Sequence, residues 1–357
     1  MPLPLKQKIV RNVFSKYART QAQIHPLTYL FWECTLRCNL NCLHCGSDCK
    51  KESNVKDMPI EDFTKVLKEI STKYEPGKVM IVLTGGEPMV RKDLEECGRE
   101  ITKLGFPSGM VTNGMMLTQE RMNSLIASGL RSITLSVDGL EDNHNWLRGS
   151  KKSFAAVKNA LKVIASQKNL VHDVVTCVNK RNLSELDQIK QLLIDSGIQA
   201  WRLFTIAPIG RAVEYPDLHL DGKEIRQLFE YIEESRKTTE IETSFSCEAY
   251  AGEYDHKIRN GLFFCRAGVN IGSVLADGSV SACPNNSYEF VQGNIYKESF
   301  LDIWENKFRN MRNRSWMKTG ICKNCKEFKY CNGGAMHLRG NNQSEILRCL
   351  WHEMDKD

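Results

Sequence analysis

The first two dozen residues contain neither a continuous apolar run nor a small-residue cleavage site, so the sequence predicts no signal peptide and no membrane span there. The excess of positive over negative charge is also small, with 49 lysine and arginine residues against 43 aspartate and glutamate residues. The net charge is only +6 over 357 residues, and a nucleic-acid partner is therefore not expected. Without an export signal, the 14 cysteines are expected to stay reduced, as in a cytoplasmic protein, and not to form disulfides.

Three cysteines lie close together in the segment ECTLRCNLNCLHCGS, at Cys38, Cys42 and Cys45. Thiolates select zinc, copper(I) or iron–sulfur clusters, and a site with three protein ligands leaves one metal position open to substrate or cofactor. Because Cys34 and Cys49 flank the triplet, a structural zinc site or spare buried thiols are alternatives at this point. The spacing therefore predicts a metal centre that carries chemistry.

Strand-like and amphipathic helical segments alternate from residue 28 to about residue 207, which predicts repeated βα units and a parallel sheet. The expected strands are residues 28–33, 78–84, 108–112, 132–137, 172–178 and 200–206. Six units are too few for a closed eight-stranded barrel, so an open partial barrel fits the count.

The segments on either side of these units are less regular. Ile9, Val13 and Tyr17 share one face of an N-terminal helix. This face is predicted to pack against the main domain, and docking of a partner is the alternative. Residues 215–260 have an irregular, charged pattern and are predicted to form a bridging segment. Cys97 and Cys177 fall in helix and strand patterns, where a free cysteine behaves as a small buried hydrophobe.

In a barrel of parallel strands, the loops after the strand ends carry the chemistry. Gly85, Gly86 and Glu87 follow the second strand, where paired glycines allow close backbone approach and a carboxylate accepts from an ammonium group. The third and fourth strands end in Thr112-Asn113-Gly114 and Ser136-Val137-Asp138-Gly139, which on their own merits are turns with permissive backbone angles.

Together, the cysteine triplet, the GGE segment and the six βα units resemble the radical S-adenosylmethionine (SAM) superfamily. The resemblance implies an α/β fold with a partial (β/α)6 TIM-like barrel, and a 4Fe-4S cluster on the triplet whose open iron chelates SAM. It also implies that SAM is cleaved to a 5′-deoxyadenosyl radical, which takes a hydrogen atom from the substrate. The implied SAM-binding residues are Gly85, Gly86, Glu87, Asn113, Ser136, Asp138, Arg148 and Asn179. His44 departs from the aromatic residue usual before the third cysteine.

A second group of cysteines follows toward the C-terminus, with a predicted hairpin around Asp277 and Gly278. This part of the chain resembles the SPASM extension of radical SAM enzymes, which implies one or two auxiliary iron–sulfur clusters. The implied outer ligands are Cys322, Cys325, Cys331 and Cys349, and the implied inner ligands are Cys265, Cys283 and Cys247. The inner set is incomplete, because Ala335 stands where the family has another cysteine. On spacing alone, zinc is an alternative for the C-terminal site.

The predicted division of the chain is an N-terminal basic helix at 1–27, the radical SAM core at 28–214, the bridge at 215–260 and a SPASM-type domain at 261–357. Candidates for a general base lie in the bridge, at Asp255, Glu248 and Tyr254.

The resemblance implies a maturase acting on a peptide or protein, with a looser likeness to the subgroup linked to small lipoprotein partners. An electron donor such as flavodoxin or ferredoxin is implied, and a membrane partner is not expected. The alternatives are radical SAM oxidation of a small molecule such as a tetrapyrrole, and a non-catalytic iron–sulfur redox sensor.

Overall fold

The computed structural model describes residues 5–246, 248–340 and 345–356, and its centre is one sheet. The ten strands are β1 (Tyr29–Thr35), β2 (Met80–Gly85), β3 (Ser108–Thr112), β4 (Leu130–Ser136), β5 (Val171–Val178), β6 (Ala200–Thr205), β7 (Glu242–Phe245), β8 (Ile271–Val274), β9 (Ser279–Ser281) and β10 (Gly293–Asn294). Their order is β10-β9-β8-β1-β2-β3-β4-β5-β6-β7. Neighbours from β8 to β7 are parallel, and β9 and β10 are antiparallel additions beyond β8.

One helix precedes β1, and the others lie between or after the strands along the chain. They are α1 (Leu5–Ile24), α2 (Ile60–Ser71), α3 (Leu94–Lys103), α4 (Gln119–Ala127), α5 (Glu141–Arg148), α6 (Ser153–Ala165), α7 (Leu186–Asp195), α8 (Gly222–Ser235), α9 (Asp255–Ile258), α10 (Phe300–Asn306), α11 (Arg309–Arg312), α12 (Phe328–Cys331) and α13 (Leu350–Lys356). Apolar side chains of the strands and helices form one core, in which the Trp32 ring of β1 stacks on the Phe63 ring of α2 at 4.2 Å.

The predicted α/β architecture is confirmed, since strands β1–β6 lie where the six strands were expected and pair in parallel. The expected hairpin is β8–β9, whose turn contains Gly278 at φ +83°. Because the carboxyl ends of parallel strands meet at one edge, the loops after β1–β6 lie together there.

The prediction of irregular structure over residues 215–260 is wrong in part. This stretch contains α8, which begins with a capping box between Asp221 and Glu224, and β7, which continues the parallel sheet beyond β6. The D-x-x-E cap and the apolar spacing of Ile225, Leu228 and Ile232 are visible in the sequence. The predicted domain boundaries themselves stay predictions.

The prediction of which face of α1 packs against the protein is also wrong. Ile9, Val13 and Tyr17 are exposed, and the helix packs through the opposite face, where Arg11 is buried. The Arg11 guanidinium pairs with the Glu327 carboxylate and lies 3.9 Å from the Tyr330 ring centroid. Because these partners satisfy the charge, the arginine faces the protein and the apolar stripe faces outward.

Candidate active site

The loop between β1 and α2 carries the cysteine triplet, Cys38, Cys42 and Cys45. Hydrogen bonds hold its backbone in place. The Cys38 N–H donates to the Lys50 carbonyl at 2.7 Å, and the Leu43 N–H donates to the Leu147 carbonyl of α5 at 2.9 Å. The loop is therefore closed on itself near Cys38 and tied to α5 beside Cys42.

Arg211, in the turn after β6, is a buried anchor for this loop. Its N–H donates to the Cys45 carbonyl at 3.0 Å, and its Nε donates to the Cys42 carbonyl at 2.8 Å. Its Nη1 lies 2.8 Å from Asp48 Oδ1. The preceding Gly210 has φ +56°, and a Cβ there would lie 2.4 Å from the carbonyl oxygen of Cys45. The sequence analysis did not single out Arg211, whose one signal is the Gly-Arg pair soon after the sixth strand.

The three thiols of the triplet differ in how readily they ionise. Burial raises the pKa of Cys38 to about 11 and also raises the pKa of Cys42, whereas a hydrogen bond from Cys49 lowers the pKa of Cys45 to about 6. Arg148 Nη1 donates toward Cys42 Sγ at 3.7 Å. Thiolates are the metal-binding form of cysteine, and nearby cations and N–H donors stabilise them.

The spacing of the thiols bears on the zinc alternative. Zinc–sulfur bonds of about 2.3 Å in a tetrahedron place sulfur atoms about 3.8 Å apart. Among the residues that the structure describes, the only group of three or more histidine, cysteine and acidic ligand atoms within 4.8 Å of one another is His44, Asp138 and Cys177. The thiols of the triplet and the four C-terminal thiols do not form such a group in this structure.

Gly85 and Gly86 allow the turn after β2 to pack directly on the cysteine loop. A Cβ at Gly85, which has φ +124°, would lie 2.1 Å from the Thr35 carbonyl oxygen, and a Cβ at Gly86 would lie 2.1 Å from that of Arg37. The Gly86 N–H donates to the Thr35 carbonyl at 2.7 Å. The paired glycines thus serve a close backbone approach between two loops, and their contact with SAM stays a prediction.

Glu87 is a buried carboxylate that joins the ends of β2 and β3. Its Oε1 accepts from the Thr112 hydroxyl at 2.8 Å, and its Oε2 accepts from the Asn113 N–H at 2.8 Å. Burial raises the pKa of Glu87. These bonds orient Asn113, whose Nδ2 donates to Asn39 Oδ1 at 2.8 Å in the cysteine loop. The predicted bond from the SAM ammonium to Glu87 would add to an already occupied carboxylate.

A buried ion pair lies at the carboxyl end of β4. Asp138 Oδ2 is 2.6 Å from Arg148 Nη2 and 3.6 Å from His44 Nε2, and its Oδ1 accepts from the Cys177 N–H at 2.8 Å. Although burial opposes ionisation, Arg148, His44 and His144 hold the pKa of Asp138 below its usual value. Burial lowers the pKa of His44 to about 4, so its imidazole is neutral at pH 7.

Two buried nitrogen atoms beside this pair have no hydrogen-bond partner among the described residues. They are His44 Nδ1 and Arg148 Nε. Because buried polar atoms in proteins are nearly always hydrogen-bonded, such orphans indicate a polar ligand between the cysteine loop and β4. A ligand with carboxylate, amine and hydroxyl groups, such as SAM, fits this environment.

The other two predicted SAM contacts lie at the same edge of the sheet. Ser136 ends β4 and is buried. Asn179 follows β5, but its side chain is used within its own turn. Its Nδ2 donates to the Cys177 carbonyl at 3.3 Å, and its Oδ1 accepts from the Arg181 N–H at 3.0 Å.

The three candidate bases differ in their surroundings. Glu248 lies beside the end of β6, where the Thr205 hydroxyl and N–H both donate to its carboxylate, and burial raises its pKa to about 6. Asp255 accepts from two backbone N–H groups and lies 3.4 Å from Arg259. The Tyr254 ring packs on Phe229 of α8. Only Glu248 is at the reactive edge of the barrel, and a role as base stays a prediction for all three.

Glu33, at the end of β1, is a buried carboxylate that sequence reasoning did not single out. Its Oε2 accepts from the Ala276 N–H of the hairpin at 3.1 Å. Burial, aided by the nearby Asp277, raises the pKa of Glu33 to about 7. The signal in the sequence was a charged residue within an otherwise apolar strand, five positions before Cys38.

We expect Glu33→Gln to stabilise the protein in a pH-dependent way. The pKa of Glu33 is raised from 4.5 to about 7 on folding, so its ionisation disfavours the folded state. The cost is absent below about pH 4.5 and grows until the pH passes about 7, to on the order of 3 kcal/mol. Thermal melts should therefore show a higher melting temperature for the variant at pH 8 than for the wild type, and little difference near pH 4.5.

The exposed Glu289→Gln is the matched control, with an expected change within about 0.5 kcal/mol at both pH values. An effect of Glu33→Gln that is the same at both pH values would contradict the assignment.

The four outer C-terminal thiols surround one cavity. Cys322, Cys325, Cys331 and Cys349 all line a space of about 470 Å³. Burial and the neighbouring thiols raise the pKa of Cys331 to about 12 and that of Cys349 to about 11. Arg339 Nη2 donates toward Cys322 Sγ at 3.6 Å. A cavity lined by four thiols has the donor set and the room for a four-iron cluster.

The inner C-terminal set is less complete. The Met336 N–H donates toward Cys265 Sγ at 3.5 Å, which places Ala335, the residue without a thiol, beside Cys265. The charge of Arg314 offsets burial and lowers the pKa of Cys265. Cys283 follows β9, and Cys247 lies outside the described residues.

Residues 32–193 match a family model described as "Radical SAM superfamily", and residues 265–326 match one described as "Iron-sulfur cluster-binding domain", the SPASM domain. The mycofactocin maturase MftC of Mycolicibacterium smegmatis is 30% identical over 313 residues, covering 86% of this chain and 77% of the relative. This chain belongs to the radical SAM superfamily.

Other relatives of this radical SAM protein carry different names. An AdoMet-dependent heme synthase of Methanosarcina barkeri is 27% identical over 90% of this chain and 95% of its own length. Among solved structures, native anSMEcpe with bound AdoMet has a TM-score of 0.70 at 18% identity, covering 93% of this chain and 95% of that chain. Streptococcus suis SuiB bound to precursor peptide SuiA has a TM-score of 0.68 at 16% identity, and the match covers 98% of this chain and 82% of that chain. At such identities the structures show the shared fold.

Family membership bears on whether the chain is an enzyme and on which cofactors it binds. The relatives are named as synthases and maturases, so the chain is an enzyme and the redox-sensor alternative is set aside. Its cofactors are those of the family, a 4Fe-4S cluster with SAM in the core and auxiliary iron–sulfur binding in the SPASM domain. The thiols and orphaned polar atoms described above fit these groups.

Proposed function

We propose that this enzyme modifies a peptide or protein substrate, which reaches the cysteine loop through a cleft between the barrel and the C-terminal segment. The cleft has a volume of about 710 Å³, and its wall includes Gly46, directly after Cys45. The opposite wall comes from residues 284–289, after the β8–β9 hairpin, and from Arg339, Gly340, Glu345 and Leu347. A substrate in this cleft would lie next to the triplet.

The observation that carries the proposal is the side chain of Asn286 in this wall. Both Oδ1 and Nδ2 of Asn286 are buried and lack a partner among the described residues. A carboxamide offers one acceptor and two donors, which match the N–H and C=O of a peptide backbone. Buried polar atoms need such partners, so the free carboxamide indicates a ligand with amide groups.

The charge of the cleft weighs against a polycarboxylate tetrapyrrole. The charged side chains in the wall are Arg339, Glu289 and Glu345, two of which are acidic. The Arg339 guanidinium already donates to the Gly333 carbonyl at 2.7 Å. Several carboxylates of one ligand would meet little positive charge here, whereas a peptide needs none.

Within the core, we assign the 4Fe-4S cluster to Cys38, Cys42 and Cys45. When bound, the cluster and SAM supply a 5′-deoxyadenosyl radical that removes a hydrogen atom from the substrate. The protein holds the SAM end of the site with fixed charges, since Asp138 orients Arg148 and leaves its Nε free toward the ligand. Glu87 orients Asn113 in the same way, and Arg211 keeps the cysteine loop in place.

The outer thiols, Cys322, Cys325, Cys331 and Cys349, are assigned to an auxiliary 4Fe-4S cluster. Its position in the C-terminal part of the chain suits the transfer of one electron from the substrate radical to an external acceptor, which leaves the oxidised product. A small redox protein of the flavodoxin or ferredoxin class is the proposed electron donor to the core cluster.

The test compares two substrate classes with reconstituted enzyme under anaerobic conditions. We expect an equimolar library of synthetic peptides to raise 5′-deoxyadenosine formation above the rate without substrate, and iron coproporphyrin III to leave it unchanged. Mass spectrometry of the peptides should reveal a product that has lost hydrogen. Stimulation by the porphyrin alone would contradict a peptide substrate.

Asn286→Leu probes the recognition step. We expect it to lower peptide-stimulated turnover by about tenfold, since a lost pairing of buried amides costs about 1–3 kcal/mol. Asn169→Leu, at an exposed position that does not line the cleft, is the matched control and should behave as the wild type. Both variants should keep the substrate-free rate of SAM cleavage, and a loss of that rate in Asn286→Leu would mean that the core itself is disturbed.

A further inference from the structure

Helix α1 presents apolar side chains to solvent along its outer face. Ile9, Val13, Tyr17 and Ile24 form this outer stripe, and each is more than half exposed. Their spacing of four, four and seven residues keeps them on one side of the helix. Of the 14 large hydrophobic residues that are exposed in the described chain, six lie in the 20 residues of α1. Such a concentration marks a contact surface.

Exposed cations lie along the same helix. They are Lys6, Lys8, Lys16 and Arg19, and α1 contains no acidic residue. At 100° per residue, Lys6 and Lys16 share the side of the outer stripe, whereas Lys8 and Arg19 lie toward the face that carries Ser15. Within the described residues none of these four cations takes part in an ion pair. The surface therefore combines an apolar stripe with two unpaired lysines and no acidic residue of α1.

The other side of α1 is fixed to the protein. Besides Arg11, the Ser15 hydroxyl donates to the Lys329 carbonyl at 3.1 Å, and Ala18 is buried. Because these contacts use the inner face, the outer stripe is free while the enzyme keeps its fold. The helix does not have to leave the barrel to make a new contact.

We propose that α1 docks this enzyme on an anionic membrane surface, with the outer stripe entering the interface and Lys6 and Lys16 beside the lipid headgroups. Interfacial helices of this type have an apolar face, lysine and arginine at its borders, and often an aromatic residue such as Tyr17 at the boundary. Among the described residues, no helix is long and apolar enough to span a bilayer, so the contact is peripheral. The proposal replaces the sequence expectation of no membrane partner, which rested on the lack of a continuous apolar run in the first two dozen residues.

Two other occupants fit less well. A second copy of the chain would bring two basic helices together with no acidic residue of α1 between them, and like charges at close range are unfavourable. A partner helix normally binds in a groove, whereas α1 presents a single convex ridge. A membrane is flat and laterally adaptable, and it can meet such a ridge along its whole length.

The test is co-sedimentation of anaerobically purified holoenzyme with vesicles. One set is phosphatidylcholine, and the other is three parts phosphatidylcholine to one part phosphatidylglycerol. We expect the bound fraction on anionic vesicles to be at least about tenfold higher than on neutral vesicles, and to fall as salt is added. The triple variant Ile9→Ser, Val13→Ser, Tyr17→Ser should bind at least about tenfold less.

The matched control is the double variant Val171→Ser, Val213→Ser, which removes equally exposed apolar residues outside α1 and should bind as the wild type. Circular dichroism and the substrate-free rate of SAM cleavage report whether the triple variant is folded. The proposal is overturned if the holoenzyme stays in the supernatant, or if the folded triple variant sediments like the wild type. It is also overturned if an acidic amphipathic peptide binds the outer stripe while anionic vesicles do not.

Discussion

Replacing Cys42 with alanine is expected to abolish 5′-deoxyadenosine formation. Cys42 is buried, its carbonyl is held by Arg211, and its sulfur lies 3.7 Å from Arg148. A cluster that loses one of three thiolates should not assemble in this site. Even a residue that only supports a metal ligand costs about 10- to 100-fold when removed, so we expect a loss of at least about a hundredfold. The measurement is 5′-deoxyadenosine by chromatography, with iron and sulfide determined in the same sample.

Two further cysteine variants make this result specific. Cys97→Ala removes a buried thiol of α3 and should keep its iron and its activity, at a cost of about 1–2 kcal/mol in stability. Cys322→Ala should lose about four irons per chain, as expected for one auxiliary 4Fe-4S cluster, yet keep substrate-free SAM cleavage. If Cys42→Ala retained full activity, the assignment of the triplet would be wrong. The loss of one zinc ion in Cys322→Ala, without loss of iron, would overturn the outer cluster.

Arg148→Met is expected to give the largest loss of stability. The substitution leaves the Asp138 carboxylate buried without its guanidinium partner at 2.6 Å. Breaking a buried pair by removing one member costs about 3–5 kcal/mol. Activity should fall as well, because Arg148 also donates toward Cys42 and presents a free Nε to the ligand. Thermal melts with and without SAM measure both effects, since SAM should raise the melting temperature of the wild type more than that of the variant.

The sign of the pH dependence follows from Asp138. In the wild type its pKa is lowered on folding, so its contribution is present above the unfolded pKa of about 3.9 and is lost as the pH falls through the folded value. In Arg148→Met burial is no longer offset, so the pKa of Asp138 should rise above the unfolded value. The difference between wild type and variant should then be largest at neutral pH and shrink toward pH 4.

Matched variants separate the buried pair from a general loss of arginine. The double variant Asp138→Asn, Arg148→Met removes both charges and should recover part of the stability that Arg148→Met loses. Arg202→Met breaks the partly exposed pair with Asp173 and should cost no more than about 1 kcal/mol. Equal losses for Arg148→Met and Arg202→Met would contradict a special role for the buried pair.

Local patterns were sufficient for the barrel. Strands β1–β6 alternate with amphipathic helices, and a buried parallel sheet leaves this pattern in the sequence because each element has to bury one face or both. The cysteine spacing was also sufficient to locate the cluster loop, since its three ligands lie within eight residues of one another.

Features that depend on distant partners were missed or misassigned. The outward orientation of Ile9, Val13 and Tyr17 follows from the pairing of Arg11 with Glu327, 316 residues further along the chain. Arg211 anchors the cysteine loop only because the turn after β6 comes close to that loop. Glu33 is buried against Ala276 only because the β8–β9 hairpin comes close to β1. The cap of α8 is different, because its D-x-x-E signal was present in the sequence.

The parallel pairing of β8 with β1 ties the two cofactor regions into one structural unit. Strand β1 has β2 on one side and β8 on the other, with four residue pairs from Tyr29↔Ile271 to Trp32↔Val274. Removing the chain after residue 260 would uncover the backbone of β1 along that side, and a long uncovered strand is prone to join other chains. A truncated barrel should therefore aggregate, and a natural sequence of this type is not expected to shed its C-terminal part and keep a folded core.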